Sequence, residues 1–370
     1  MEKIKVAHLI GGGDVGGAKQ HLLTLLSHLN SEKFLPSVIA LGDGILVKEA
    51  KELNIKTHII PYKGVLWWKV LKPLKEIIKQ EKPDILHTHG VRANFYGRVG
   101  CLGKKKTRVI TTIHSIPFYD YSNPFWGVAA TLVDTATSKM VDSFVAVSKA
   151  VLNHLLKRGV PLSKIEVIYN AIDETDLTLT SEKTTAVPVI GTVGRLVKVK
   201  GHVYLLEAIP EVIKKYGPVE IRFIGAGPLK EYLTSVARKL GIQEQVVFTG
   251  RVKDVYKEIS QFTIGVFPSL MEGMGLAVIE TMAMGIPIIA SRVGGIEEVV
   301  AHEKTGLLVE RKNPSALSDS IINLLENETY RQQLGQEGRK QVLLRFNLNH
   351  MLERTEWLYI KTKDGVMGNE

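Results

Sequence analysis

The chain repeats one alternation twice: short, continuous apolar runs separated by longer stretches with helical spacing. Strands buried on both faces read as continuous runs, and a parallel sheet covered by helices is the arrangement that buries both faces. In the first half such runs fall at residues 3–10, 37–41, 84–88, 108–113 and 143–147. Residues 18–29, with leucines at 22, 25, 26 and 29, have the spacing of a helix between the first two. The pattern restarts at 187–193 and continues through 219–224, 246–249, 264–267, 287–290 and 306–309. A polar segment rich in Thr and Glu, 173–186, lies between the halves and reads as a linker. The expected fold class is therefore α/β, with two doubly wound parallel-sheet domains at 1–172 and 187–345, a division that suits 370 residues.

Sheets of this kind bind ligands beyond the carboxyl ends of their strands, so motifs at those ends carry the most weight. Fold alone names no reaction. Charge narrows the partners. Residues 1–170 hold 24 Lys+Arg against 13 Asp+Glu, an excess of +11, and the rest hold 24 against 25, or −1. All the excess sits in the first half, which points to an anionic partner there: nucleic acid, a bilayer surface or a substrate. The single cysteine, Cys101, excludes a disulfide framework and suits a reducing compartment. No secretory leader is apparent, and no apolar run approaches the roughly 18 residues of a membrane span. The expectation is a cytoplasmic protein, peripheral at the inner face of the cell membrane.

The most specific motif is Pro268-Ser269-Leu270-Met271-Glu272-Gly273-Met274-Gly275-Leu276-Ala277-Val278-Ile279-Glu280. A strand ends, a glycine-rich turn follows, and a helix opens near Gly275, offering free N–H groups and a positive dipole end to a phosphate. Glu272 falls at the turn and Glu280 more than one helical turn further on, so the two carboxylates suit different hydroxyls. A helix cap beside a surface glutamate is the structural alternative, but capping does not need both glycines. The second motif, Gly194-Arg195-Leu196-Val197-Lys198-Val199-Lys200-Gly201, sets two cations five residues apart at a strand end, where they can flank a diphosphate. Solvated surface charge is the alternative, and it suits Lys198. The third is Gly11-Gly12-Gly13-Asp14-Val15-Gly16-Gly17-Ala18 after the first strand. Alone it fits a dinucleotide loop equally well, although the acidic residue such a loop wants some 20 positions on comes late, at Asp43.

With its Glu-x7-Glu in a Glu-Gly-Met-Gly-Leu setting, the chain resembles the family 4 retaining glycosyltransferases. The resemblance implies the GT-B fold, two Rossmann-like domains facing each other across a cleft, with the acceptor on the first and the nucleotide-sugar donor on the second. It implies that Glu272 and His114 contact the donor sugar and that Glu280 holds the ribose. Arg195 and Lys200 would stabilise the departing diphosphate. The backbone of Gly273, Met274, Gly275 and Leu276 would face sugar and phosphates, Gly16 the diphosphate, and Gly225 and Val252 the nucleotide. It also implies a final segment, 350–370, that crosses back to the first domain. Three positions depart from the family pattern: Lys19 and Ser115 where acidic residues are common, and Ala171 where glycine is usual.

His87 and His89 form a His-x-His at a strand end, but the sequence supplies no evident third ligand and no Asp-x-Asp, so no metal and no cofactor are expected. Trp67-Trp68 lead into residues 70–82, with lysines at 72, 75, 79 and 82 opposite an apolar face. Lys104-Lys105-Lys106, Phe118 and Phe125-Trp126 add charge and aromatics. That composition suits a helix lying on an anionic membrane surface, or else a solvated face over a core. No nucleic-acid motif accompanies the charge. The reading is a retaining, metal-independent transferase moving a hexosyl or N-acetylhexosaminyl group from a UDP-sugar to a carbohydrate or lipid-linked hydroxyl, in cell-surface polysaccharide or glycolipid synthesis. Three rivals remain: a nucleotide-sugar epimerase on the same fold, a dehydrogenase using the Gly11–Gly16 loop with NAD, and a catalytically silent sugar-nucleotide binder. A phosphorylase on this fold would need a pyridoxal lysine, and its motifs are not evident.

Overall fold

A computed structural model of the chain describes residues 2–11, 16–61, 67–103, 106–121, 123–177 and 186–365. It divides into two units, Met1–Asn170 with Leu348–Glu370, and Ala171–Asn347. The first unit runs β1 (Ile4–Gly11), α1 (Gly17–His28), β2 (Phe34–Leu41), α2 (Ile45–Glu52), β3 (Lys56–Ile60), α3 (Trp67–Glu81), β4 (Ile85–His89), α4 (Val91–Gly100), β5 (Arg108–Ile113), α5 (Pro124–Thr137), β6 (Ser143–Ala146), α6 (Lys149–Lys157) and β7 (Ile165–Val167). The second runs β8 (Val189–Val193), α7 (His202–Lys215), β9 (Glu220–Ile224), α8 (Lys230–Lys239), β10 (Val246–Gly250), α9 (Val255–Ile259), β11 (Ile264–Phe267), α10 (Leu276–Ala283), β12 (Ile288–Ser291), α11 (Ile296–Val299), β13 (Leu307–Val309), α12 (Pro314–Glu326) and α13 (Glu328–Arg345). A last helix, α14 (Leu348–Asp364), belongs to the first unit.

The seven-stranded sheet has the order β3-β2-β1-β4-β5-β6-β7 and the six-stranded sheet the order β10-β9-β8-β11-β12-β13. Within the sheets the strand pairs are parallel. In each, the first strand pairs on both sides and the chain reverses its direction of travel across the sheet there. The two crevices therefore open beyond the ends of β1 and β4, and of β8 and β11. Val70, Leu71, Leu74 and Ile78 of α3 with Ala93, Phe95, Tyr96 and Val99 of α4 cover one face of the first sheet, and α1 and α2 cover the other. The sequence reading misses β3 and β7. Both are sheet edges, and β3 (Lys-Thr-His-Ile-Ile) is half exposed, so it lacks the continuous apolar run that marks a central strand.

Helix α5 is built the wrong way round for a surface helix. Its buried residues are Gly127, Asp134 and Thr137. Asp134 takes Arg98 of α4 on Oδ1 and Arg158, just beyond α6, on Oδ2, each at 2.7 Å. Arg98 also donates to the Asp134 carbonyl and to Thr137 Oγ1, both at 3.0 Å. A buried carboxylate shared by two guanidiniums cannot be removed without leaving uncompensated charge. We therefore expect Asp134→Ala to destabilise the first unit by about 3–5 kcal/mol, measured as a fall in its urea midpoint. A shift under about 1 kcal/mol, the usual worth of an exposed pair, would show that this network does not hold α5.

Candidate functional site

In the second unit, three loops meet at the ends of β8, β11 and β12. The turn after β8 ends on Gly201, which has φ +65° and opens α7. A Cβ there would lie 2.0 Å from the Pro268 carbonyl oxygen, so only glycine lets this loop close on the one after β11. The Leu270 amide donates to the Val199 carbonyl at 2.7 Å and seals the approach. From the third loop, a Cβ on Gly294 would stand 2.0 Å from the Glu272 carbonyl oxygen, and the Gly295 amide donates to that same oxygen at 3.2 Å. Backbone packing, rather than side-chain reach, fixes where Glu272 sits.

The charged groups follow from that frame. Lys200 Nζ lies 2.6 Å from Glu272 Oε1, with both side chains largely shielded from solvent. Ser269 Oγ donates to the same oxygen at 2.7 Å. Glu280, in the second turn of α10, is buried, and burial pushes its carboxyl up to about 7, with Lys200 opposing the shift and Asp176 adding to it. At the head of α10, Gly275 has φ +86°, Met274 is buried, and the amides of Leu276 and Ala277 lack acceptors within the helix, while those of Val278 and Ile279 donate to the Gly275 carbonyl. Arg195 is exposed, while its carbonyl accepts from His202 Nε2 at 3.1 Å. Gly225 ends β9 and its amide donates to the Gly250 carbonyl at 2.8 Å; Val252 packs on the cluster around Tyr256 and Phe262. The structure thus brings Lys200, Glu272 and the head of α10 together, with Glu280 within electrostatic reach. Gly225 and Val252 lie to one side, at the ends of β9 and β10.

In the first unit, the register β1–β4–β5 sets His8 opposite His87 and His89 opposite Thr112, all on one sheet face. His8 Nδ1 lies 3.2 Å from His89 Nε2, and His89 Nδ1 lies 3.2 Å from His114 Nε2. His87 is fixed by Tyr359 of α14 at 2.8 Å and by Thr112 at 2.7 Å. His21 of α1 stacks edge-on against His114. Burial holds these rings below their ordinary value, His21 at about 4 by burial alone and His8 at about 3 by burial and then repulsion from His21. His87, His89 and His114 are displaced well downward for the same reasons. All five are neutral at pH 7, so His89 donates through one nitrogen and accepts through the other, and His8, His89 and His114 form one hydrogen-bonded row ending at His114.

The sequence expectation that His-x-His lacks a further ligand fails here. His8 joins His87 and His89, and His21 joins His89 and His114, each trio with ring nitrogens within 4.8 Å. These partners are distant in sequence, and only the sheet register and α1 deliver them. His87 and His89 spend both ring nitrogens on hydrogen bonds to Tyr359, Thr112, His8 and His114, whereas His8 Nε2, His21 Nδ1 and His114 Nδ1 are buried without a hydrogen-bond partner among the described residues. Of the glycine-rich loop, Gly16 is described, with φ +129° at the head of α1, whereas Gly12, Gly13, Asp14 and Val15 lie outside the described residues. So do Lys104, Lys105 and 178–185 of the linker. Lys19 pairs with Glu49 at 2.5 Å.

Two parallel α/β units with these loops at their strand ends are the arrangement of the GT-B fold. Residues 15–176 match the Glycosyltransferase Family 4 description and residues 180–341 that of Glycosyl transferases group 1. The chain belongs to the family 4 glycosyltransferases. An uncharacterized glycosyltransferase of Methanocaldococcus jannaschii is 29% identical over 76% of both chains. The N-acetyl-alpha-D-glucosaminyl L-malate synthase of Bacillus anthracis is 25% identical over 77% of both. The Anabaena protein HepE in complex with UDP-glucose shares the fold with a TM-score of 0.83 at 18% identity, over 96% of this chain and 99% of that one.

Glu280 generates a test that needs no substrate. Its folded-state value of about 7 lies above the ordinary 4.5, so the folded chain holds the proton more tightly than the unfolded one. Stability is then complete below pH 4.5 and falls as pH rises through 7. Glu280→Gln removes that penalty. The variant should be more stable than the parent by up to about 3 kcal/mol at pH 8 and equal to it at pH 4, in denaturant titrations of the second unit. A difference independent of pH would contradict the assignment.

Proposed function

We propose that the chain transfers a hexosyl or N-acetylhexosaminyl group from a UDP-sugar to a carbohydrate or lipid-linked acceptor hydroxyl, with retention of configuration and without a metal or cofactor. The observation that carries this reading is the interlocked site of the second unit: a lysine–glutamate pair at the head of α10, with a second carboxylate buried one turn behind it. A nucleoside diphosphate-sugar offers what each part lacks. Its diphosphate meets Lys200, Arg195 and the α10 amides of Gly275 and Leu276. Its sugar hydroxyls meet Glu272 and the backbone of Gly273 and Met274, and its ribose meets Glu280. Gly225 and Val252 lie where the base would pass. The first unit contributes Gly16 and His114, the latter as a neutral ring that can donate to or accept from a sugar hydroxyl.

Lys200 and Glu272 pair with each other. An arriving diphosphate competes for the lysine and frees the glutamate for sugar hydroxyls, so donor binding exchanges one ion pair for two sets of contacts. As charge builds on the leaving diphosphate, Lys200 and Arg195 stabilise it, a contribution seen only near the transition state. No side chain is nominated as a nucleophile; a donor phosphate oxygen taking the acceptor proton is the reading consistent with that. The UDP preference is supported by HepE, whose complex contains UDP-glucose. The basic first half supports work at the cytoplasmic membrane face on a lipid-linked or polysaccharide acceptor. The Bacillus anthracis relative, by its name, serves malate instead, so a small hydroxy acid is the competing acceptor.

A thermal-shift screen with UDP, GDP, ADP, their sugars and NAD(H) tests the donor. Ligand at about 100 times its Kd stabilises by roughly 2.7 kcal/mol. We expect UDP to shift the melting of the parent, Glu280→Ala to reduce that shift, and a chelator to change nothing. A shift from NAD(H) alone, untouched by Glu280→Ala, would overturn the transferase reading. In turnover assays, Lys200→Ala should lower kcat about 10²–10³-fold; a change confined to KM would mean that the lysine binds ground state and transition state alike.

A further inference from the structure

The first unit carries a helix whose apolar side faces outward. On α5 the exposed positions are Phe125, Trp126, Val128, Leu132 and Val133, spaced by three, four and seven residues, with Phe125 69%, Trp126 59% and Leu132 65% exposed. Surface helices ordinarily show the reverse pattern. The cause lies on the inner side, where Asp134 is clamped between Arg98 and Arg158 and Thr137 is bound to Arg98. Turning the helix to hide its apolar stripe would expose that buried charge network. At its other end, Gly127 packs against the Phe118 backbone, where an added Cβ would stand 2.6 Å from the Phe118 carbonyl oxygen. Both ends hold the stripe outward, and Phe118, itself exposed, extends it.

We infer that α5 is the element of this chain that inserts into the interface of an anionic bilayer, beside which the basic face of α3 makes the electrostatic contact. This deepens the membrane-facing part of the proposed function and rests on it. Two observations choose the bilayer over a second copy of the chain. First, residues 1–170 carry the whole charge excess, +11, so two such halves repel each other while an anionic surface attracts them. Second, α3 and α5 both pack against α4. The exposed Trp68, Lys69, Lys72, Lys75 and Lys79 of α3 therefore lie on the same side of the sheet as the apolar stripe. An apolar face with aromatics at its end and lysines alongside is the pairing that interfacial helices use, the apolar area giving depth and the cations giving long-range attraction.

The test uses the full chain with vesicles of phosphatidylcholine alone or with phosphatidylglycerol. Trp126 serves as the reporter after Trp67, Trp68 and Trp357 are changed to Phe. We expect its emission to shift to the blue and to be quenched by lipids brominated in the acyl chain. Phe125→Ser with Leu132→Ser, both exposed, should lower partitioning into anionic vesicles at least tenfold, while K72Q/K75Q/K79Q should lower it in a manner that 0.5 M salt reproduces in the parent. Trp126 emission unmoved by vesicles would overturn the proposal. So would a dimer in sedimentation velocity that the two serine substitutions dissolve, which would assign the stripe to a second copy. Melting with UDP is read on the same samples: a UDP shift without vesicle binding sinks the docking role alone, and vesicle binding without any nucleotide shift sinks the transferase reading alone.

Discussion

Parallel pairing gathers the chemistry of this protein. In a parallel sheet every strand ends at the same edge, so loops that are distant in sequence emerge side by side, and where the strand order reverses they part to leave a crevice. In the second unit that edge receives the loops after β8, β11 and β12. In the first it receives the row His8, His89 and His114 from β1, β4 and the end of β5. Neither group exists as a local motif. Each is a consequence of strand register, and the core leucines and isoleucines that hold the sheets act on the site through that register.

Within this frame the two units solve the burial of polar groups differently. The second keeps a charged pair, Lys200 with Glu272, at the rim of the site and a carboxyl, Glu280, behind it at about pH 7, so its polar groups stand ready for an anionic, hydroxyl-rich ligand. The first buries five neutral imidazoles, of which His87 and His89 bond through both ring nitrogens to Tyr359, Thr112, His8 and His114. Because Tyr359 comes from α14, the last helix of the chain completes the hydrogen bonding of a strand in the first sheet. The Arg98–Asp134–Arg158 network is the third solution: charge buried fully, paired twice, and used to set the rotation of a helix.

Much of this was legible in the residues. Central strands announce themselves because both faces are buried, and nine of the eleven apolar runs are interior strands of the two sheets; the other two, β10 and β13, are edges whose runs are apolar all the same. Edge strands β3 and β7 do not, because half their surface is wet and their composition mixes. The Glu272…Glu280 spacing and the Arg195…Lys200 pair were readable as motifs, since each lies within one strand–turn–helix segment. His8 and His21 were not, because nothing local distinguishes a histidine inside an apolar strand or a helix from one that packs in a core.

What the sequence determined by itself is the pair of doubly wound sheets, the motifs at their strand ends and the concentration of positive charge in the first half. Those properties follow from periodicity, composition and short spacing. The tertiary structure decided the rest: that Lys200 meets Glu272, that the histidines join into a row, that Glu280 is buried enough to hold its proton near neutrality, and that α5 turns its apolar side outward. Each of these depends on which residues face one another across elements far apart in the chain. Strand register and close backbone packing set such contacts, and no window of sequence contains them.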